Sequence, residues 1–376
     1  MKRKGKRGVA IGLAAALLCL CLPVSARGEE LAVSARSAVL LSGESGAVLW
    51  EKNPRERLPM ASTTKIMTAL LTLEEAERAG DPAVDITEEM AAVEGSSMGL
   101  QAGDRLTLTN LAAGMLLASG NDAANAAALF LDGSQEGFAR RMNSRAEEIG
   151  MEDTHFVTPS GLDAEDHFST AYDLALLARE ALENEAFAEL AASPRREVTF
   201  IEPAHTATYE NHNKLLGLYE GCVGVKTGYT KKAGRCLVSA ARREGVTLIA
   251  VTLDAPDDWD DHTALLDYGF SRLEQVRLDG SACVASLPVV GGGADAVEVH
   301  GVQGDTFTLP AGDSGRITVR VMAPRFLYAP VEAGEQVGEL QYCLGGRELA
   351  RVPLVAAAEV PRQERQPGFW ERLWKG

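Results

Sequence analysis

The stretch Pro59-Met60-Ala61-Ser62-Thr63-Thr64-Lys65-Ile66-Met67-Thr68-Ala69-Leu70-Leu71 constrains the chain more than any other. Apolar Ile66, Met67, Leu70, Leu71 and Leu73 recur at helical spacing, and Pro59 with the small polar run before Lys65 suits a helix entrance. A helix here puts Ser62 and Lys65, at i and i+3, on one face. A serine hydroxyl is a weak nucleophile until a base takes its proton. A lysine one turn on does that only as a neutral amine. Its ordinary pKa of about 10.4 must then be lowered by burial and a neighbouring cation. The helix N-terminus adds positive potential and free backbone N–H groups beside Ser62. Alone, a serine three residues before a lysine is a common accident; its company along the chain gives it meaning.

Ahead of this helix, Ala38 to Leu41 and Ala47 to Trp50 flank Gly43-Glu44-Ser45-Gly46, a hairpin pattern. The helix is expected to end near Gly80-Asp81-Pro82. A helical run from Leu111 to Leu131 is interrupted by Ser119-Gly120-Asn121-Asp122. Polar residues and a glycine inside such a run are costly, so either two helices meet there or the break faces something. Further helices are expected over Phe138 to Ile149, Ala171 to Leu182 and Asp261 to Leu273. Strands are expected over Val198 to Ile201, Gly221 to Thr227, Cys236 to Ala241 and Val246 to Leu253. Helices in the middle with strands at both ends predict an α+β domain, an antiparallel sheet with helices packed on it, over residues 36–275. From about Leu278 to Val360 the helical period vanishes, and short Val- and Leu-rich runs alternate with turns, predicting a small all-β domain over 278–360. Residues 361–376 read as a polar linker and a short tail.

Residues 1–26 carry Lys2, Arg3, Lys4, Lys6 and Arg7, an apolar run from Val9 to Val24, and small residues at Ser25 and Ala26. That is a signal-peptide pattern, implying an exported protein of the cell envelope. The run is short for a retained span of about 20 residues. Leu18 and Leu20, before Cys19 and Cys21, are too large for a lipoprotein cleavage site. Removing the five basic residues takes the net charge from −16 to −21. So acidic a chain is not a nucleic-acid binder. Cys222, Cys236, Cys283 and Cys343 match no metal-site spacing. None of the six histidines falls in a His-Glu-x-x-His pattern, so neither metal nor other cofactor is expected.

Three short motifs follow in order: Ser62-Thr63-Thr64-Lys65, Ser119-Gly120-Asn121, and Lys226-Thr227-Gly228 just before a turn over Tyr229 to Gly234. In isolation the second is an ordinary helix junction and the third an edge strand entering a turn. The ordered set is far more specific. With it come Ser97-Met98-Gly99-Leu100, the run from Leu117 to Ala124, the run from His167 to Ala175, and Gly224-Val225-Lys226-Thr227-Gly228-Tyr229-Thr230. Over residues 36–275 the chain resembles the serine-type D-alanyl-D-alanine carboxypeptidases, low-molecular-mass penicillin-binding proteins within the wider group of serine β-lactamases and penicillin-binding proteins.

The resemblance implies a penicillin-binding-protein/β-lactamase-like catalytic domain. It makes Ser62 the acylated nucleophile and Lys65 its base. Ser119 would relay a proton to the leaving amine, and Asn121 would orient Lys65 or the substrate amide. Lys226 would keep Lys65 neutral by repulsion and favour a carboxylate-ended substrate, with Thr227 bonding that carboxylate. Gly228 would let the strand approach the substrate, and the N–H groups of Ser62 and Tyr229 would form the oxyanion hole. The implied partners are the peptidoglycan stem peptide and β-lactams as covalent inhibitors. His167 reads as structural, and Tyr172 and Asp173 as a helix start. A class A β-lactamase is the alternative in the same chemistry, but it has Asp where this chain has Gly120. A non-catalytic wall-binding protein is the alternative of another class. In the tail, Phe369, Trp370, Leu373 and Trp374 share a helical face beside Arg372 and Lys375, which predicts weak peripheral membrane contact; the other reading is a frayed end.

Overall fold

The computed structural model describes residues 31–282 and 284–364, so the expected signal peptide and tail lie outside the described residues. The predicted hairpin is β1 (Ser37–Ser42) and β2 (Val48–Lys52), paired antiparallel. Next comes a 3-10 turn over Ala61–Thr64, and then α1 (Lys65–Ala79). Gly80 closes α1 in the left-handed conformation (φ 78°), where the Cβ penalty is absent. The helix therefore starts at Lys65, and Ser62 sits in the tighter turn before it.

Residues 83–107 hold β3 (Ala83–Asp85), α2 (Glu88–Ala91) and β4 (Arg105–Thr107). The interrupted run becomes two helices, α3 (Leu108–Leu116) and α4 (Asn121–Asp132), with Ser119 between them at φ 57°. Then follow α5 (Gln135–Ile149), α6 (Ala171–Ala181) and α7 (Glu185–Ala192). Thr170 caps α6 by accepting the Asp173 N–H, as the helix-start reading of Tyr172 and Asp173 expects. After β5 (Arg195–Phe200), β6 (His205–Glu210) and the short α8 (Leu215–Leu218) come β7 (Cys222–Thr230), β8 (Gly234–Arg243) and β9 (Val246–Leu253). Tyr229 and Thr230 are still strand, so the turn is shorter than the glycines suggested. α9 spans Asp258–Phe270, three residues earlier than its apolar pattern implies, because Leu273 pairs with Pro310 instead.

The main sheet runs β2-β1-β9-β8-β7, antiparallel throughout, with β7 as an edge. β9 is buried at all eight positions, as a central strand covered on both faces must be. One apolar core joins it to α1, α3, α4 and α6 through residues such as Val251, Ile66, Leu111, Ala124 and Leu177. Cys222 pairs with Ala241 and Cys236 with Gly228, at opposite ends of the β7–β8 hairpin, and both are free thiols.

β10 (Leu273–Asp279) lies across the predicted junction at 275–278 and pairs with β13 (Gln303–Pro310). The remaining strands are β11 (Val284–Val290), β12 (Ala296–Gly301), β14 (Thr318–Met322), β15 (Leu327–Tyr328), β16 (Gln336–Leu344) and β17 (Arg347–Ala356). They form a six-stranded sheet ordered β14-β16-β17-β12-β11-β15 over a separate apolar core centred on Val299, Leu340, Val352 and Leu354. Asp313 joins the two regions: its buried carboxylate accepts the hydroxyls of Ser42 and Ser45, both at 2.9 Å. Among the described residues, no helix is long and apolar enough to cross a membrane.

Candidate active site

The three motifs come from three elements and meet at one cleft. Ser62 is supplied by the 3-10 turn, Ser119 and Asn121 by the α3–α4 junction, and Lys226, Thr227 and Gly228 by edge strand β7. The cleft has a volume of about 280 Å³, and Ser62, Ser119, Thr227, Gly228 and Tyr229 line it. A larger cleft of about 730 Å³ lies elsewhere, walled by Glu74, Glu77, Glu180 and Glu189 beside Arg145. Its acidic walls are the wrong sign for a carboxylate-ended substrate.

Lys65 is fully buried, and its Nζ reaches Ser62 Oγ at 2.9 Å, Asn121 Oδ1 at 2.6 Å and the Ser160 carbonyl at 2.7 Å. The Asn121 amide cannot turn freely, because its Nδ2 donates to the Glu94 carbonyl at 2.6 Å. Asn121 Oδ1 and Ser160 O can only accept. A neutral amine has two N–H bonds and one lone pair. Those two acceptors take the N–H bonds, so the lone pair is left facing the one partner with a hydrogen to give, Ser62 Oγ. Burial pushes the Lys65 pKa well below that of a free lysine; Lys226 adds like-charge repulsion, and Asp122 pulls the other way.

Lys226 is also buried, which lowers its pKa to about 7. Its Nζ donates to Ser119 Oγ at 3.0 Å and to the Thr227 carbonyl at 2.9 Å. So Ser119 bonds Lys226, while Asn121 bonds Lys65. Gly228 packs against the chain's own turn: an added Cβ would lie 3.0 Å from Ser62 N and 3.1 Å from Met60 O. The close approach expected toward substrate is thus first an approach to the backbone at Ser62. It brings residues 228–229 of β7 beside the Ser62 amide.

Sequence reasoning missed several members of this site. Asp122 is fully buried and gathers Ser97 Oγ at 2.5 Å and the N–H groups of Met98, Gly99 and Leu100 at 2.9, 3.0 and 2.9 Å. Gly120 has no room for a side chain, since a Cβ there would meet Asp122 Oδ1 at 2.7 Å. Residues 95–99 spell Gly-x-Ser-x-Gly, but they lie in the loop between α2 and β4 with Ser97 bonded to Asp122, not at a strand-to-helix elbow. Arg235 and Trp259 also line the cleft, and Arg235 is paired with the buried Asp258 at 2.8 Å. Arg235 is opposite Tyr229 in the β7–β8 ladder, a proximity that sequence spacing does not reveal. Among the described residues, no three His, Cys, Asp or Glu side chains cluster closely enough to hold a metal ion.

Comparison with known proteins places the chain in a family. Residues 24–257 match the family model for D-alanyl-D-alanine carboxypeptidase, and residues 279–362 match that for the C-terminal domain of penicillin-binding protein 5. D-alanyl-D-alanine carboxypeptidase DacF of Bacillus subtilis is 33% identical over 92% of each chain. DacC of Escherichia coli is 33% identical over 98% of this chain and 94% of its own. The crystal structure of D-alanyl-D-alanine carboxypeptidase DacD from Francisella tularensis is 28% identical, covers 88% of this chain and 95% of its own, and superposes with a TM-score of 0.62. The fold is therefore the penicillin-binding-protein type expected from the motifs, with a β-rich region after it, and the chain belongs to the D-alanyl-D-alanine carboxypeptidase family of serine peptidases.

Proposed function

We propose that this serine D-Ala-D-Ala carboxypeptidase removes the terminal D-Ala from peptidoglycan stem pentapeptides through an acyl-enzyme on Ser62. The observation that carries the reading is the placement of Lys65 Nζ between Ser62 Oγ and two obligate acceptors. Neutral Lys65 takes the Ser62 proton as Oγ attacks the carbonyl of the penultimate residue. The N–H groups of Ser62 and Tyr229 receive the oxyanion, each such donor being worth about 3 kcal/mol in the transition state. The proton taken by Lys65 reaches the leaving amine through the hydroxyl of Ser119, held by Lys226, which gives up one proton as it takes the other; the C–N bond breaks, D-Ala leaves, and Lys65 is neutral again. Water then attacks the ester, giving its proton to the neutral Lys65, which hands it to Ser62 Oγ as the acyl C–O bond breaks, restoring both groups. The substrate's terminal carboxylate meets Lys226, Thr227 and the guanidinium of Arg235. Catalysis is assigned to residues 36–275, and the β-rich segment 278–360 carries none of these groups.

Export to the cell envelope rests on the pattern of residues 1–26, and membrane contact on the aromatic face of the tail. A labelled penicillin tests the whole reading. A long-lived adduct at Ser62 supports the carboxypeptidase. Fast turnover supports a β-lactamase, and no adduct supports a non-catalytic wall-binding protein.

A further inference from the structure

Of the three groups around Lys65 Nζ, the Ser160 carbonyl is the only one held by a loop. Ser160 lies between α5 and α6, and no ladder or helix fixes it. Side-chain contacts clamp the loop instead. Gly161 (φ +84°) is pressed onto the Ser62 turn, where an added Cβ would meet Ala61 O at 1.9 Å. Thr68 Oγ1 donates to the Pro159 carbonyl at 2.6 Å. At the loop's start, the Val157 N–H donates to His167 Nδ1 at 2.9 Å.

The other nitrogen of His167 completes a bridge. Nδ1 accepts, so the proton of the neutral ring sits on Nε2. Nε2 lies 2.9 Å from Thr64 Oγ1, and Thr64 Oγ1 sends its own hydrogen to Ala61 O at 2.8 Å. Thr64 immediately precedes Lys65. One buried imidazole therefore ties the turn that carries Ser62 and Lys65 to the loop that carries the Ser160 carbonyl.

We propose that His167 is a positioning residue for the base: by holding Val157 with Nδ1 and Thr64 with Nε2, it sets the Ser160 carbonyl where it engages one N–H of Lys65 and keeps the lone pair on Ser62. The proposal rests on the reading of Lys65 as the base and adds a residue that touches neither substrate nor Ser62. Burial, with smaller contributions from His155 and Lys232, lowers the His167 pKa to about 4, so the ring stays neutral at working pH. The charges bearing on Lys65 are Lys226 on β7 and Asp122 on α4, and His167 substitutions leave both in place. A carbonyl acceptor favours the ammonium form of its lysine. Loosening Ser160 therefore lowers the Lys65 pKa further, while the amine loses its orientation.

Two variants cut the bridge at different ends. In His167→Asn the amide oxygen replaces Nδ1 and keeps Val157. In His167→Gln the longer amide replaces Nε2 and keeps Thr64 alone. Measured on a D-Ala-D-Ala peptide, both variants should lose about 10-fold or more in kcat with KM nearly unchanged, His167→Gln the more because it frees the end of the bridge on the loop that carries Ser160. The acid limb of the kcat profile should move to lower pH in His167→Gln. Equal losses in both variants that follow Tm, with the acid limb unmoved, would mean a purely structural histidine and overturn the proposal. So would parental kcat in both. If Lys65→Arg is inactive while both His167 variants behave as parent, only this proposal fails. If Lys65→Arg keeps its acylation rate, the reading of Lys65 fails first.

Discussion

The two regions of the molecule use burial in opposite ways. The first, through α9, buries Lys65, Lys226, Asp122, Asp173 and His262, each at most 1% exposed. In the second, from β10 onward, the one charged side chain buried among the described residues is Asp313, which faces back toward Ser42 and Ser45. Its core is otherwise Val, Leu, Ala and Tyr342. Burying a charge costs several kcal/mol unless partners compensate. The first region bears that cost, and in the proposed mechanism the chemistry there needs a lysine without its proton. The second avoids it, as expected of a scaffold. Substitutions in the first should therefore cost function more than stability, and the reverse should hold in the second.

The largest expected effect lies in the first region. Ser62→Ala should lower D-Ala release by about 10³-fold or more and abolish penicillin labelling, with Tm nearly unchanged. Substantial release by this variant would remove Ser62 from the mechanism. Next comes the scaffold. Leu340 is fully buried, so Leu340→Ala should cost about 2–5 kcal/mol in denaturant unfolding. The folded variant should keep parental kcat/KM; a matching loss of kcat/KM would mean that the β-rich region takes part in the chemistry.

A smaller effect should appear in acid. Burial lowers the His262 pKa to about 3 and the His167 pKa to about 4, against an unfolded value of 6.5. Below 6.5 the unfolded chain binds protons that the folded chain refuses. Stability should then fall as pH drops toward 4, by about 1.4 kcal/mol per unit for each ring. His262→Gln, read by urea unfolding at several pH values, should flatten that slope; an unchanged slope would contradict the burial argument. The smallest effect belongs to the tail. Deleting residues 365–376 should leave hydrolysis of soluble peptide unchanged but reduce sedimentation with liposomes, because about 1.5–3 kcal/mol per buried aromatic is partly offset by helix ordering. Equal sedimentation would make the tail a frayed end.

Motifs on single elements were legible in the sequence. The Ser62-to-Lys65 spacing, the break before Asn121 and the strand through Lys226 each leave a local signature. The element types of the first region were mostly legible for the same reason, since periodicity is local. What was not legible depends on chain returns. α7 and β6 carry weak patterns and were missed. The Ser160 carbonyl is a backbone group and has no sequence signal of its own. Asp122 reads as a helix-start acid until the loop over residues 97–100 folds onto it. His167 was read as structural, because its bridge between Thr64 and Val157 exists only once α1 and the loop before α6 are side by side. Arg235 reaches the cleft through strand pairing, which an isolated pattern cannot place.

The central claim is that Ser62 is activated by a lysine kept neutral through burial and the charge of Lys226. The pH dependence of Ser62 acylation by a slowly hydrolysed penicillin, followed by intact mass, tests it most directly. The account predicts a rate that rises with pH through an apparent pKa well below the lysine value of 10.5, and a Lys65→Arg variant that folds but is not acylated, since arginine keeps its proton. A midpoint near that of free lysine, or a Lys65→Arg variant acylated at the parental rate, would contradict it.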